Sequence, residues 1–216
     1  MKLSITIPTS LKDITLKQYK HFLKVQEENN GDKFFDAKMI EIFCKVPLKE
    51  VILLKLSDSQ EIIKILSDMF DQKPALVHKF KLNGVQYGFH PQLDDLTLGE
   101  YIDLDTFIGD WDNMEKAMNV LYRPIVAKLK DKYTIKEYEV ETDVDLLDMP
   151  MDAVMSSIFF LWNLGLELST IMTNSLEQEE TKALTQYLSS TKNGDGISQF
   201  MHSLKGTLED LKISLN

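Results

Sequence analysis

The sequence predicts an α+β fold, mainly helical, with one small antiparallel sheet. Three observations carry that expectation. Two helix-opening signatures of the same form stand at Thr15 and Thr97, two alternating runs meet at Asn83-Gly84, and apolar residues recur every three to four positions in several other stretches.

Residues 2–7, KLSITI, alternate in polarity and stop at Pro8, as a short strand would. That strand is expected to pair with the 77–89 hairpin. At Asp13-Ile14-Thr15-Leu16-Lys17-Gln18-Tyr19, Thr15 can cap a helix, Gln18 can close the box, and Ile14 and Tyr19 can form a hydrophobic staple. The helix should reach about Glu28 and stop at Asn29-Asn30-Gly31. A second helix is expected over 34–45, ending before Pro47, and a third around 58–71, ending near Pro74.

Residues 76–89, LVHKFKLNGVQYGF, hold the clearest β signal, because Asn-Gly suits the two positive φ angles of a type I′ turn. Asp95-Leu96-Thr97-Leu98-Gly99-Glu100-Tyr101 then repeats the first helix opening. At an offset of 82 residues, Ile7 also matches Phe89, Leu11 matches Leu93 and Tyr19 matches Tyr101. Farther along, 38–45 parallels 116–123, and Leu53-Leu54-Lys55-Leu56-Ser57 parallels Leu146-Leu147-Asp148-Met149-Pro150. These matches fit an internal strand–helix–helix duplication over 1–75 and 76–172. They also fit convergent capping chemistry at similar junctions.

Residues 133–142 read as a strand whose phase slips near Glu137. The stretch 151–172 is apolar on nearly every face, yet its uncharged part, 153–166, is too short for a membrane span of about 20 residues. Such a helix belongs in a core or an interface. Phe159, Phe160, Trp162 and Leu166 are therefore candidate interface residues. Phe200 and Leu204 join them, from an amphipathic stripe after the turn at 193–196. The expected organisation is one globular domain over 1–176 followed by a helical extension, 177–216.

Composition narrows the function. The chain has 216 residues, with 34 acidic and 24 basic side chains and a net charge of −10. Phosphate backbones repel such a surface, so no direct nucleic-acid partner is expected. The lone Cys44 excludes an intrachain disulfide and reads as a buried thiol. The opening MKLSITIPTS has no signal-peptide core, which points to synthesis in a reducing cytoplasm.

Asp103/Asp105, Asp110/Asp112 and Asp143/Asp145 are Asp-x-Asp pairs that could hold a divalent cation. Side chains two apart on a helix diverge, however, so a solvated acidic face is the expected reading. Residues 191–196 resemble part of an EF-hand loop but lack the acidic first and last ligands. His21, His78, His90 and His202 have no metal-site spacing, and no nucleophile elbow or phosphate loop occurs. No enzyme activity, cofactor or metal is expected. Among 24 basic residues the single arginine, Arg123, stands out beside Tyr122. The pair is a candidate structural anchor at a helix end, with Arg123 meeting the acidic stretch Asp103–Asp112 or capping the helix dipole.

The strings FKLNGVQYGF, LTLGEYIDLDTFI and NVLYRPI, at 80–89, 96–108 and 119–125, resemble small virion-associated proteins of tailed bacteriophages. The nearest likeness is to the crAss-like podoviruses of gut Bacteroidales, which share the Lys/Asn/Ile bias and acidic balance. The resemblance covers about 80–165 and rests on short motifs. It implies a virion protein made in the host cytoplasm, either part of the tail or packaged cargo, whose partners are other virion proteins or further copies of itself. A tail-assembly chaperone, absent from the finished particle, is the alternative. A metal-dependent enzyme using the Asp-x-Asp pairs is a weaker one. The resemblance carries no catalytic residue over.

Overall fold

The computed structural model describes residues 4–28, 34–130, 132–139 and 145–176. Four helices come first: α1 (Leu16–Glu28), α2 (Phe35–Cys44), the single turn α3 (Leu48–Val51) and α4 (Leu56–Phe70). Strands β1 (Lys79–Leu82) and β2 (Val85–Phe89) follow, then α5 (Leu98–Phe107) and α6 (Met114–Leu121). The described residues close with β3 (Tyr122–Leu129), β4 (Lys132–Ile135) and the long α7 (Met151–Leu176). The protein is α+β, with helices packed around a four-stranded antiparallel sheet in the order β1-β2-β3-β4.

Both helix openings form as their sequences require. Thr15 Oγ1 accepts from Gln18 N at 3.2 Å while Thr15 N donates to Gln18 Oε1 at 3.1 Å. At α5 the reciprocal bonds run from Glu100 N to Thr97 Oγ1 at 3.3 Å and from Thr97 N to Glu100 Oε2 at 2.7 Å. Each box satisfies N–H groups that the first helical turn leaves without an intrahelical partner. The two openings keep the 82-residue offset in three dimensions. Short 3-10 turns at Leu11–Asp13 and Leu93–Asp95 lead into helices starting at Leu16 and Leu98.

The predicted hairpin is present. Asn83 and Gly84 have φ of 49° and 81°, and Leu82 pairs with Val85 across them. The N-terminal strand is not. Residues 4–9 form no strand, and Ile5 and Ile7 instead pack half-buried against the core. The free edge of β2 is taken by β3, which pairs Phe89 with Tyr122 and Gly88 with Arg123. Sequence reading placed a helix end, not a strand, at Tyr122-Arg123-Pro124. Pro124 is tolerated because Gly88 pairs with Arg123, which turns the proline nitrogen toward β4, next to a pairing irregularity between Ile125 and Ala127. The expected 133–142 strand ends at Ile135, just before the phase slip at Glu137.

One hydrophobic cluster runs from Leu11 through Trp162 and joins all the helical layers. Tyr19 touches the rings of Phe22, Phe70 and Trp111 at 5.1–6.1 Å, tying α1 to α4 and to the turn before α6. The start of α1 is also stitched to the start of α7. Leu16 N donates to Met149 O at 3.0 Å, Lys17 N to Leu147 O at 2.7 Å, and Met151 N to Ile14 O at 3.0 Å.

Candidate functional site

Arg123 and Tyr122 lie where α6 passes directly into β3. Tyr122 is fully buried, edge-on to Phe80 and Phe89, and its hydroxyl lies 2.7 Å from Val77 O and 3.2 Å from Ala153 O. It locks the sheet onto α7. The Arg123 guanidinium points the other way into a buried polar cluster, with Nη2 2.6 Å from Glu100 Oε1. Its charge partner is thus the closing residue of the α5 capping box, outside the acidic stretch 103–112. Its position on β3 also removes the helix-dipole role. Asp103 enters indirectly: it accepts a hydrogen bond from the Tyr138 hydroxyl, and the Tyr138 ring lies 5.6 Å from the guanidinium.

Glu100 shows how a buried carboxylate stays charged. Burial alone would raise its pKa, but the Thr97 N–H and hydroxyl and the Arg123 charge together hold it below the usual value. His90 Nε2 lies 3.8 Å from the same Glu100 oxygen. Burial, and then the Arg123 charge, depress the imidazole pKa. Its Nδ1 accepts from Gln92 N at 3.3 Å. A cavity of about 100 Å³ beside the cluster is lined by Tyr87, Asn119, Arg123, Lys136 and Tyr138, among others. Within the cluster the carboxylate is already neutralised by arginine, so the arrangement is a buried structural lock.

The two fully described Asp-x-Asp pairs, Asp103/Asp105 and Asp110/Asp112, do not converge on a common point. Asp103 holds Tyr138, and burial raises the Asp105 carboxyl. Asp110 accepts from Asp112 N at 2.9 Å and Asn113 Nδ2 at 2.6 Å, while Asp112 faces Lys24 at 3.0 Å. Among the described residues no three His, Cys, Asp or Glu side chains group as a metal site. Asp143 and the 191–196 turn lie outside the described residues. Cys44 is buried, and its thiol is pushed up to about 11.

On the apolar helix, packing within the chain takes up most of the candidate interface residues. Phe159 and Trp162 are buried in the core, and Phe160 packs edge-on against Phe89 at 5.6 Å. Only Leu166 of the four candidates is exposed. A single core encloses this helix over 151–162, where the turn Leu11–Asp13, α1, Val77 and Tyr122 pack against it. Phe200 and Leu204 lie outside the described residues. No described helix is long and apolar enough to cross a membrane.

Uncovered apolar side chains occur elsewhere. Leu98, Tyr101 and Ile102 line the outer face of α5, and Ile52, Leu53 and Leu56 surround the turn between α3 and α4. In sequence, Tyr101 is the match of the staple residue Tyr19, and Leu53–Ser57 parallels Leu146–Pro150. The one signal that could have drawn attention to them is the repeat itself. A groove of about 660 Å³ runs along β1, lined by Lys12, Thr15, Lys79, Phe80, Asp148 and Asp152 among others. Lysines 79 and 81 on the outer strand suit an edge protected against pairing.

No known protein family, curated protein or solved structure matches this chain.

Proposed function

We propose that this chain is a non-enzymatic, protein-binding component of a tailed-bacteriophage virion, placed in the tail or packaged as cargo. One observation supports the binding role: two separate groups of large apolar side chains, on α5 and at the α3–α4 turn, stand uncovered on a well-packed body. The virion setting rests on the resemblance of 80–165 to small phage proteins. Quantitative proteomics of purified particles tests the setting. Peptides of this chain at stoichiometric level are the expected result. A chain abundant in infected cells but absent from the particle would overturn it in favour of an assembly chaperone.

A further inference from the structure

The two halves of the chain carry matching parts with opposite exposure. In the first half Leu11, Ile14, Leu16 and Tyr19 are all buried. Their counterparts at the 82-residue offset are Leu93, Leu96, Leu98 and Tyr101. The first two are only half-buried, while Leu98 is 75% exposed and Tyr101 38%. The covering of the first set comes from the second half. Residues 146–150 contribute the side chains of Leu146 and Met149, both fully buried, and the carbonyls of Met149 and Leu147 accept from the first-turn N–H groups of α1. Trp111 covers Tyr19 from the same side of the chain.

The covering segment also has a counterpart. Leu146-Leu147-Asp148-Met149-Pro150 corresponds in sequence to Leu53-Leu54-Lys55-Leu56-Ser57; the first lies just before α7, and the second runs into the first turn of α4. Where Leu146 and Met149 are buried, Leu53 and Leu56 are 82% and 73% exposed. One chain therefore makes this contact once and leaves each of its two halves free, one on α5 and one before α4. The charges follow the same logic. Lys12 and Asp148 line one groove, and their counterparts are Asp94 and Lys55, with the signs exchanged and the pair still opposite.

We propose that copies of this chain associate head to tail, the turn at residues 53–57 of one copy packing against Leu98 and Tyr101 at the start of α5 in the next. The contact is the apolar counterpart of the one inside the chain, with Leu53 and Leu56 in the places of Leu146 and Met149. Backbone N–H groups of Leu98 and Gly99, which the helix cannot satisfy itself, lie at this surface as those of Leu16 and Lys17 lie against residues 146–150, and Lys55 of the neighbour meets Asp94. Because the two surfaces differ, the association is heterologous. It closes into a ring if the rotation per copy divides a full turn, and otherwise grows as a filament. The occupant is a second copy because both parts stand on this chain and complement each other, exposed Leu53 and Leu56 beside Lys55, exposed Leu98 and Tyr101 near Asp94. The inference does not depend on the virion setting.

Sedimentation velocity of the full chain, with Leu98→Asp and with Leu53→Asp, tests the proposal. Both substitutions are on exposed side chains, so circular dichroism and the unfolding midpoint should match the parent and certify the fold. The parent should form concentration-dependent oligomers, and each variant alone should be monomeric. An equimolar mixture of the two variants should give a dimer and nothing larger, because one intact α5 face meets one intact 53–57 turn. A parent that stays monomeric up to roughly 1 mM, the range of weak association, overturns the proposal, whichever segment or other protein then covers α5. Oligomers that persist in either variant overturn it too, since they use another surface. A monomeric chain found at stoichiometric level in particles would sink self-assembly and leave the virion reading standing.

Discussion

Glu100 Oε1 sits 2.6 Å from Arg123 Nη2, and the only arginine of the chain is thereby committed to the closing residue of a helix capping box. The equivalent residue of the first box, Gln18, also reaches across to the end of its partner helix. There its Nε2 donates to Ile42 O at 2.8 Å. A neutral amide can end on a backbone carbonyl, but a carboxylate in that position needs a cation. Lysine is abundant in this chain, yet arginine stands at the buried position. Its guanidinium is weakly hydrated and can lie against the Tyr138 ring while it meets Glu100.

Arg123→Ala leaves the Glu100 carboxylate buried without its cation and should destabilise by about 3–5 kcal/mol. Glu100→Gln removes the charge as well, and the double variant should recover part of the loss. Urea unfolding of the two single variants and the double variant, arranged as a cycle, measures the coupling. A strictly additive cycle would mean that the two side chains are independent.

The acid side of stability should have two stages. His90 has a depressed pKa in the folded state, so the unfolded chain takes up its proton first. Stability then falls as pH drops below about 6.5, the ordinary imidazole value. Glu100 is also depressed, and its contribution is present above about 4.3, the ordinary glutamate value, and lost as pH falls through its lower folded value. His90→Asn should flatten the upper stage and leave the lower one. Unfolding midpoints collected from pH 7.5 to 3 would show this.

Thr15→Ala and Thr97→Ala each remove a cap and should cost roughly 0.5–2 kcal/mol. Both boxes are complete, so the two variants should behave alike in guanidinium titrations. Unchanged midpoints would contradict the capping role.

Two glycines of the sheet should respond differently to alanine. At Gly84, with φ of 81°, an added Cβ meets nothing within 4 Å, so Gly84→Ala should cost only the backbone strain, about 1 kcal/mol. At Gly88 the Cβ would run into the Tyr133 ring, which is fixed by a 2.6 Å hydrogen bond from its hydroxyl to Phe89 O. Gly88→Ala should therefore cost about 1–3 kcal/mol through overpacking. Thermal unfolding of both variants makes the comparison.

Trp162→Ala should cost about 3–5 kcal/mol, as a core truncation does. It should leave the association state at a given folded fraction unchanged. Leu166→Ser, on an exposed position of the same helix, should shift the unfolding midpoint little. Light scattering alongside denaturation separates the two effects, and a loss of oligomers without loss of stability in Trp162→Ala would return α7 to the role of interface.

Local structure was largely legible. The Thr15 and Thr97 boxes, the Asn83-Gly84 turn and α2 follow from interactions within a few residues, and those interactions are written in the order of side chains along the chain. Short extended segments were less legible. An alternating run such as 2–7 can pair in a sheet or simply lie along a core, and Pro124 hid a strand whose missing N–H faces an irregular edge. Arg123 was recognisable as unusual, but its partner was not, because Glu100 looked fully occupied in closing the box.

The sequence by itself determined that α1, α2, α4, α5 and α7 are helices, that α1 and α5 begin at capping boxes, that an Asn-Gly hairpin is present, and that parts of the two halves are written alike. Only the tertiary structure decided that β3 would fill the edge expected for the N-terminus, and that α7 would be enclosed over Met151–Trp162. It also decided that Leu16 and Tyr19 would be covered while Leu98 and Tyr101 would not. Capping and turn chemistry act over three or four residues and so can be read in a line. Which of two equal faces is buried depends on what the rest of the chain brings against it, and residues 146–150 can cover only one of them.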